Sequence, residues 1–150
     1  MNSYVWFALI SSIIALAYCA FLIMSIMKKP TGNDRMKEIA AAIQAGAKAY
    51  LNRQYRTIAV IAVILFVVLG FALNWTLAIG FVVGAVLSAL AGFIGMNVSV
   101  RSNIRTTEAA RTSLGAALSL AFNGGAVTGL FVVGLALLGT TAFYAITQDV

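Results

Sequence analysis

The chain has no histidine, a single proline, a single cysteine and only four carboxylic acids, and each shortage excludes a class of chemistry. Without imidazole, and with Asp34, Glu38, Glu108 and Asp149 scattered along the polypeptide, no converging set of ligands or bases exists for metal-assisted hydrolysis or a proton relay at membrane depth. The lone thiol, Cys19, has no disulfide partner and no companion for a metal cluster, and it lies in an apolar run, where a free cysteine behaves as a small hydrophobe. Leu16-Ala17-Tyr18-Cys19 does not make a lipoprotein cleavage box, because bulky Tyr18 takes the small-residue position and no basic residue precedes the run. Charge itself is scarce, at 9% of residues against 62% hydrophobic, where soluble domains average roughly a quarter charged. Lipid is therefore the solvent for most of the chain. The net charge of +6 is diffuse, which in a membrane protein marks cytoplasmic loops and implies no nucleic acid.

What the chain does have is long apolar runs. Residues 4–27 carry no charge, and as a helix they reach about 36 Å, enough to cross a hydrocarbon core of about 30 Å with tilt. A signal peptide would place positive charge before a shorter run, whereas Lys28 and Lys29 come after this one, so the segment is expected to stay attached. Pro30 and Gly32 break the helix, and Asp34 is expected to cap the next. Met36, Ile39, Ala40, Ile43, Ala47, Tyr50 and Leu51 then recur at three- and four-residue spacing, opposite Lys37, Gln44, Lys48 and Asn52. That amphipathic helix either lies on headgroups or extends the following span, and the second is favoured because no breaker separates Arg56 from Thr57.

Residues 57–100 are uncharged and far too many for one crossing, with Asn74-Trp75 as the only turn near their centre. Two spans joined by a tight hairpin are expected. Beyond them come Arg101, Arg105, Glu108 and Arg111, then a second amphipathic pattern in Leu114, Ala117, Leu118 and Ala121, which Asn123-Gly124-Gly125 is expected to end before the last apolar run. The expectation is an all-α membrane protein of four transmembrane helices, spanning about 4–27, 57–73, 76–98 and 126–146, with amphipathic helical extensions in the cytoplasmic segments 28–56 and 99–125. Lys28, Lys29, Arg35, Lys37, Lys48, Arg53 and Arg56 lie in the first of these segments and Arg101, Arg105 and Arg111 in the second, while the hairpin and both ends carry no base. By the positive-inside rule both termini face outward.

Two residue sets invite a role. Gly80, Gly84, Ser88 and Gly92 recur every four residues on the third span, and Gly125 and Gly129 open the fourth; in lipid such small residues let backbones approach, so they are expected to pack helices rather than line a conduit. Arg101, Arg105 and Arg111 could clamp phosphate, although bases flanking a span more often set topology and touch lipid headgroups. Asp34 and Glu38, four apart, suit the positive end of a helix dipole better than a divalent cation.

Four stretches resemble the membrane-bound pyrophosphatases, the ion pumps driven by pyrophosphate hydrolysis. They are Glu38-Ile39-Ala40 through Ile43-Gln44-Ala45-Gly46-Ala47 to Ala49-Tyr50-Leu51-Asn52-Arg53-Gln54-Tyr55; Leu87-Ser88-Ala89-Leu90-Ala91-Gly92-Phe93-Ile94-Gly95-Met96-Asn97-Val98; Arg101-Ser102-Asn103-Ile104-Arg105-Thr106-Thr107-Glu108-Ala109-Ala110-Arg111; and Gly125-Ala126-Val127-Thr128-Gly129. The likeness is to the N-terminal region of that family. It implies a longer polypeptide with more spans, a homodimer in the lipid bilayer, a multi-pass protein of the bacterial cell inner membrane, and magnesium-bound pyrophosphate as substrate. The Asp- and Lys-rich stretches that bind magnesium pyrophosphate in the family have no counterpart here, so the resemblance carries over no catalytic, cofactor-binding or metal-binding residue, and the expectation is an N-terminal scaffold portion of a proton pump. Met96-Asn97-Val98-Ser99-Val100 looks more like the potassium-independent proton-pumping branch. The competing readings are a stand-alone four-helix structural or regulatory module docking through its glycine stripes and, last, a small self-assembled channel, which would need a polar ring at membrane depth.

Overall fold

The computed structural model describes residues 3–147, which fold into four helices: α1 (Ser3–Met27), α2 (Asp34–Ala72), α3 (Trp75–Ala110) and α4 (Leu114–Thr147). All four are long and apolar enough to cross a membrane, and the protein is an all-α membrane protein. With 39, 36 and 34 residues, α2, α3 and α4 each reach about 50 to 60 Å. They outrun a bilayer, so each carries its span and a polar extension as one rod. Asp149 lies outside the described residues.

The α2–α3 hairpin turns at Asn74-Trp75, near the centre of the uncharged run 57–100. Leu73 ends α2, and the Asn74 side chain accepts a hydrogen bond from the Leu77 amide at 2.7 Å, satisfying one of the orphan donors of the new helix. Trp75 folds back over Gly70 and meets Phe66 and Phe71 edge-on.

Three local expectations are corrected. Asn33, not Asp34, caps α2, accepting from the Met36 amide at 3.0 Å; Gly32 turns the chain with φ of +73°, and Asp34 is already helical and pairs with Lys37. Asn123-Gly124-Gly125 does not end a helix, since α4 passes through it unbroken. The break falls at 111–113, where the Ser113 hydroxyl accepts from the Ala116 amide at 3.1 Å. Gly124 serves instead as a contact point, its Cα directly against Ser102. Finally, the row of α2 turned inward is Ala40, Gln44, Ala47, Leu51 and Tyr55, with Gln44 half-buried while Ile39, Ile43 and Tyr50 stay exposed.

Consecutive helices run antiparallel. Among the described residues α2 packs on α3 alone, α3 packs along α4, and α4 also holds α1, which touches α3 only lightly. The α3–α4 register is marked by Gly80 at Phe143, Leu87 at Gly139, Gly95 at Thr128 and Ser102 at Gly124. The apolar core sits toward the basic end of the bundle, where Cys19, Leu22 and Ile26 of α1 meet Val98 of α3 and Leu120 and Val127 of α4. Cys19 is fully buried and donates to the Val127 carbonyl at 3.2 Å, the inert core role expected of it. Most large apolar side chains face outward, among them Phe7, Ile14, Val63 and Phe71, as lipid-facing residues must.

Candidate functional site

Each described carboxylate is held by a base three residues along its own helix: Asp34 by Lys37 at 3.0 Å, Glu38 by Arg35 at 2.7 Å and Glu108 by Arg111 at 3.1 Å. Asp34 and Glu38 therefore do not converge on a common ligand. Among the described residues no group of three or more His, Cys, Asp or Glu is placed to hold a metal ion.

The three arginines of the 101–111 segment have separate surroundings. Arg101 is exposed and Arg111 bonds Glu108. Arg105 turns inward instead, donating through Nη1 to the Arg101 carbonyl at 2.7 Å and through Nη2 to the Met27 carbonyl at 3.2 Å. Met27 is the last residue of α1, where unpaired carbonyls concentrate negative charge, and a guanidinium there caps the helix. Burial, and then the neighbouring charge of Arg101, push the Arg105 pKa below its ordinary value.

The small residues on α3 divide between two neighbours because a four-residue step overshoots a helical turn by about 40°, so positions twelve residues apart point about 120° apart. Gly80 thus lies under the Phe143 ring on α4, whereas Gly92 lies under the Tyr55 hydroxyl on α2, which donates to the Ala89 carbonyl at 2.9 Å. Gly84, Gly125 and Gly129 have no neighbouring atom where a Cβ would stand, and Ser88 is exposed. Besides the contact of Leu87 at Gly139, close approaches of α3 and α4 occur at Gly95 and Gly124, where an added Cβ would stand 2.8 Å and 2.7 Å from the hydroxyls of Thr128 and Ser102. Sequence reasoning missed both. The available signal was the spacing of Gly80, Leu87, Gly95 and Ser102, steps of seven and eight that stay on one face.

Between α1, α3 and α4 at the end opposite the basic residues lies an open cavity of about 740 Å³, bordered by Tyr4, Leu77, Gly84, Leu135, Phe143 and Tyr144. Its wall is mainly apolar, and its polar atoms are hydroxyls and backbone, with no charged group among its lining residues.

Long apolar rods, close glycine contacts, outward apolar side chains and, among the described residues, charge confined to one end define an integral membrane protein. Residues 13–150 match the family model described as inorganic H+ pyrophosphatase, and the chain belongs to that family. It is 51% identical, over 99% of its length, to the K(+)-insensitive pyrophosphate-energized proton pump of Methanosarcina mazei, of which it covers 22%. Over 89% of the chain it is 50% identical to the K(+)-insensitive pyrophosphate-energized proton pump 2 of Moorella thermoacetica, covering 20% of that protein. The K(+)-stimulated pyrophosphate-energized sodium pump of Thermotoga maritima is 40% identical over 89% of the chain, which covers 19% of it. The chain thus spans about a fifth of the length of these relatives.

Proposed function

We propose that these four helices are the N-terminal transmembrane scaffold of an ion pump that couples pyrophosphate hydrolysis to proton translocation across a bacterial inner membrane, and that the pump works as a homodimer. The family match over residues 13–150 carries the reading. Two relatives at 50% identity or more are named as proton pumps, while others so named, at 40% and 35%, stand no higher than those named as sodium pumps, at 42% and 40%; the first two, with Met96-Asn97-Val98-Ser99-Val100, support the proton. Magnesium is the cofactor the reading implies. The described acids do not fit it, because each is engaged by a base and no three gather, so no step is routed through it and its ligands are assigned to other parts of the pump.

The test is pyrophosphate hydrolysis in lipid with magnesium, comparing this chain with the longest product of its reading frame. Activity confined to the longer product is expected; hydrolysis by the 150-residue chain would contradict the scaffold role. Inactivity of both would favour the second reading, a stand-alone structural module, which the open glycines Gly84, Gly125 and Gly129 recommend as surfaces for partner helices.

The orientation proposed with this reading places both termini and the 73–74 turn outside. In a Cys19→Ser background, a membrane-impermeant thiol reagent applied to intact cells is expected to label Leu73→Cys and to spare Gly46→Cys; the opposite pattern would invert the topology. Leu73 is exposed and Gly46 has open space around it.

A further inference from the structure

We propose that Lys29 and Arg105 form a binding site for a phosphate oxyanion at the basic end of the bundle, a site independent of the pump reading. A pocket of about 320 Å³ opens there between the end of α1, the last turns of α3 and the first half of α4. Ser25, Lys29, Arg105, Thr112, Ser119 and Asn123 supply its side-chain donors. Its level follows from the sequence: Lys28 and Lys29 terminate the apolar run of α1, which is where phospholipid headgroups meet a span.

Three observations give the pocket its chemistry. First, Arg105 borders the pocket and is held in place by one N–H on each of Nη1 and Nη2, bonded to the Arg101 and Met27 carbonyls, which leaves further N–H groups of the guanidinium, the buried Nε among them, without an acceptor among the described residues. A charged donor group with N–H capacity left over in a partly buried site is costly, so this guanidinium favours an anionic partner that the described residues do not provide. Secondly, Lys29 makes no side-chain hydrogen bond or ion pair among the described residues, where the only ion pairs are Arg35–Glu38, Lys37–Asp34 and Arg111–Glu108. Thirdly, Glu108, the one acid on the wall, is directed to Arg111 and leaves both Lys29 and Arg105 without a carboxylate partner.

The arrangement therefore offers a fixed guanidinium and a mobile ammonium, flanked by hydroxyl and amide donors, to one tetrahedral anion. That pairing suits phosphate. It also separates Arg105 from Arg101 and Arg111, which lie outside the pocket lining. The oxyanion reaches the site either as the phosphodiester of an anionic lipid or as free phosphate. Sited at headgroup level and facing a lipid-covered bundle, the pocket favours the lipid.

Native mass spectrometry of the full chain, released from nanodiscs holding phosphatidylglycerol and phosphatidylcholine in equal amounts, tests the proposal. One phosphatidylglycerol is expected to stay bound in preference to phosphatidylcholine, with retention falling about fivefold or more in Lys29→Gln and in Arg105→Gln but not in Lys48→Gln. Lys29→Gln removes no hydrogen bond of the fold, so it reports on the site even where loss of the Arg105 cap unfolds the bundle. Release by millimolar inorganic phosphate would support the site with free phosphate as the occupant, and resistance to it would support the headgroup. Equal retention by wild type and Lys29→Gln, or equal loss in Lys48→Gln, would overturn the proposal.

Discussion

Gly95→Leu is expected to destabilise the helical bundle by about 3 kcal/mol, at the upper end of what overpacking a filled interface costs. Even a methyl group at Gly95 would stand 2.8 Å from both Cγ2 and Oγ1 of Thr128 and 3.2 Å from its Cβ. A β-branched side chain has stiff χ1 and cannot swing clear, so the α3 and α4 backbones must separate. That separation would propagate along the register to Ser102 and Gly124, the next close contact. Gly84→Leu adds the same bulk where no atom lies within 4 Å of the new Cβ, and a change within about 0.5 kcal/mol is expected there. Equilibrium unfolding in mixed micelles compares the two directly; equal losses would mean that the α3–α4 seam does not run through Gly95.

Ile26→Ala should cost about 2 kcal/mol, the low end of the range for such truncations. Ile26 is 1% exposed and packs in the cluster with Cys19, Leu22, Val98, Leu120 and Val127. The cost falls at the low end because an isoleucine released from this core passes into lipid, not water. The transfer penalty largely vanishes and only lost packing contacts remain. Val63→Ala, at a side chain 63% exposed on α2, is expected to leave stability nearly unchanged. The same unfolding measurement separates them, and a Val63→Ala loss as large as that of Ile26→Ala would show that lipid-facing and core positions have been exchanged.

The legibility of this protein varies with the physics behind each feature. The Asn74-Trp75 turn was readable because it was the only turn signal near the centre of an uncharged run too long for one crossing, and the structure shows Asn74 capping α3. The continuity of α2 followed from the lack of a breaker after Arg56. Asn33 and Asp34 are both good capping residues, and the choice between them was made by Gly32, whose left-handed φ sets where the helix begins. Asn123-Gly124-Gly125 looks like a helix stop in isolation, yet in a helix pressed against α3 the missing side chain at Gly124 is what allows Ser102 to sit there. Family kinship was legible through word-like matches that need no geometry. The phosphate pocket was only half legible: three arginines were candidates, and nothing in their order distinguished Arg105 or joined it to Lys29.

By itself the sequence determined that the protein lives in lipid, how many times it can cross, and where its charge must stay, because backbone hydrogen bonding and charge solvation in a bilayer depend on runs of residue types and little else. The tertiary structure decided which glycines meet a neighbour, which helix each inward row faces, and which arginine turns from the surface to the end of α1. Those outcomes depend on the direction of each residue around its helix and on what stands opposite, and a difference of 40° per four-residue step is enough to send Gly80 to α4 and Gly92 to α2.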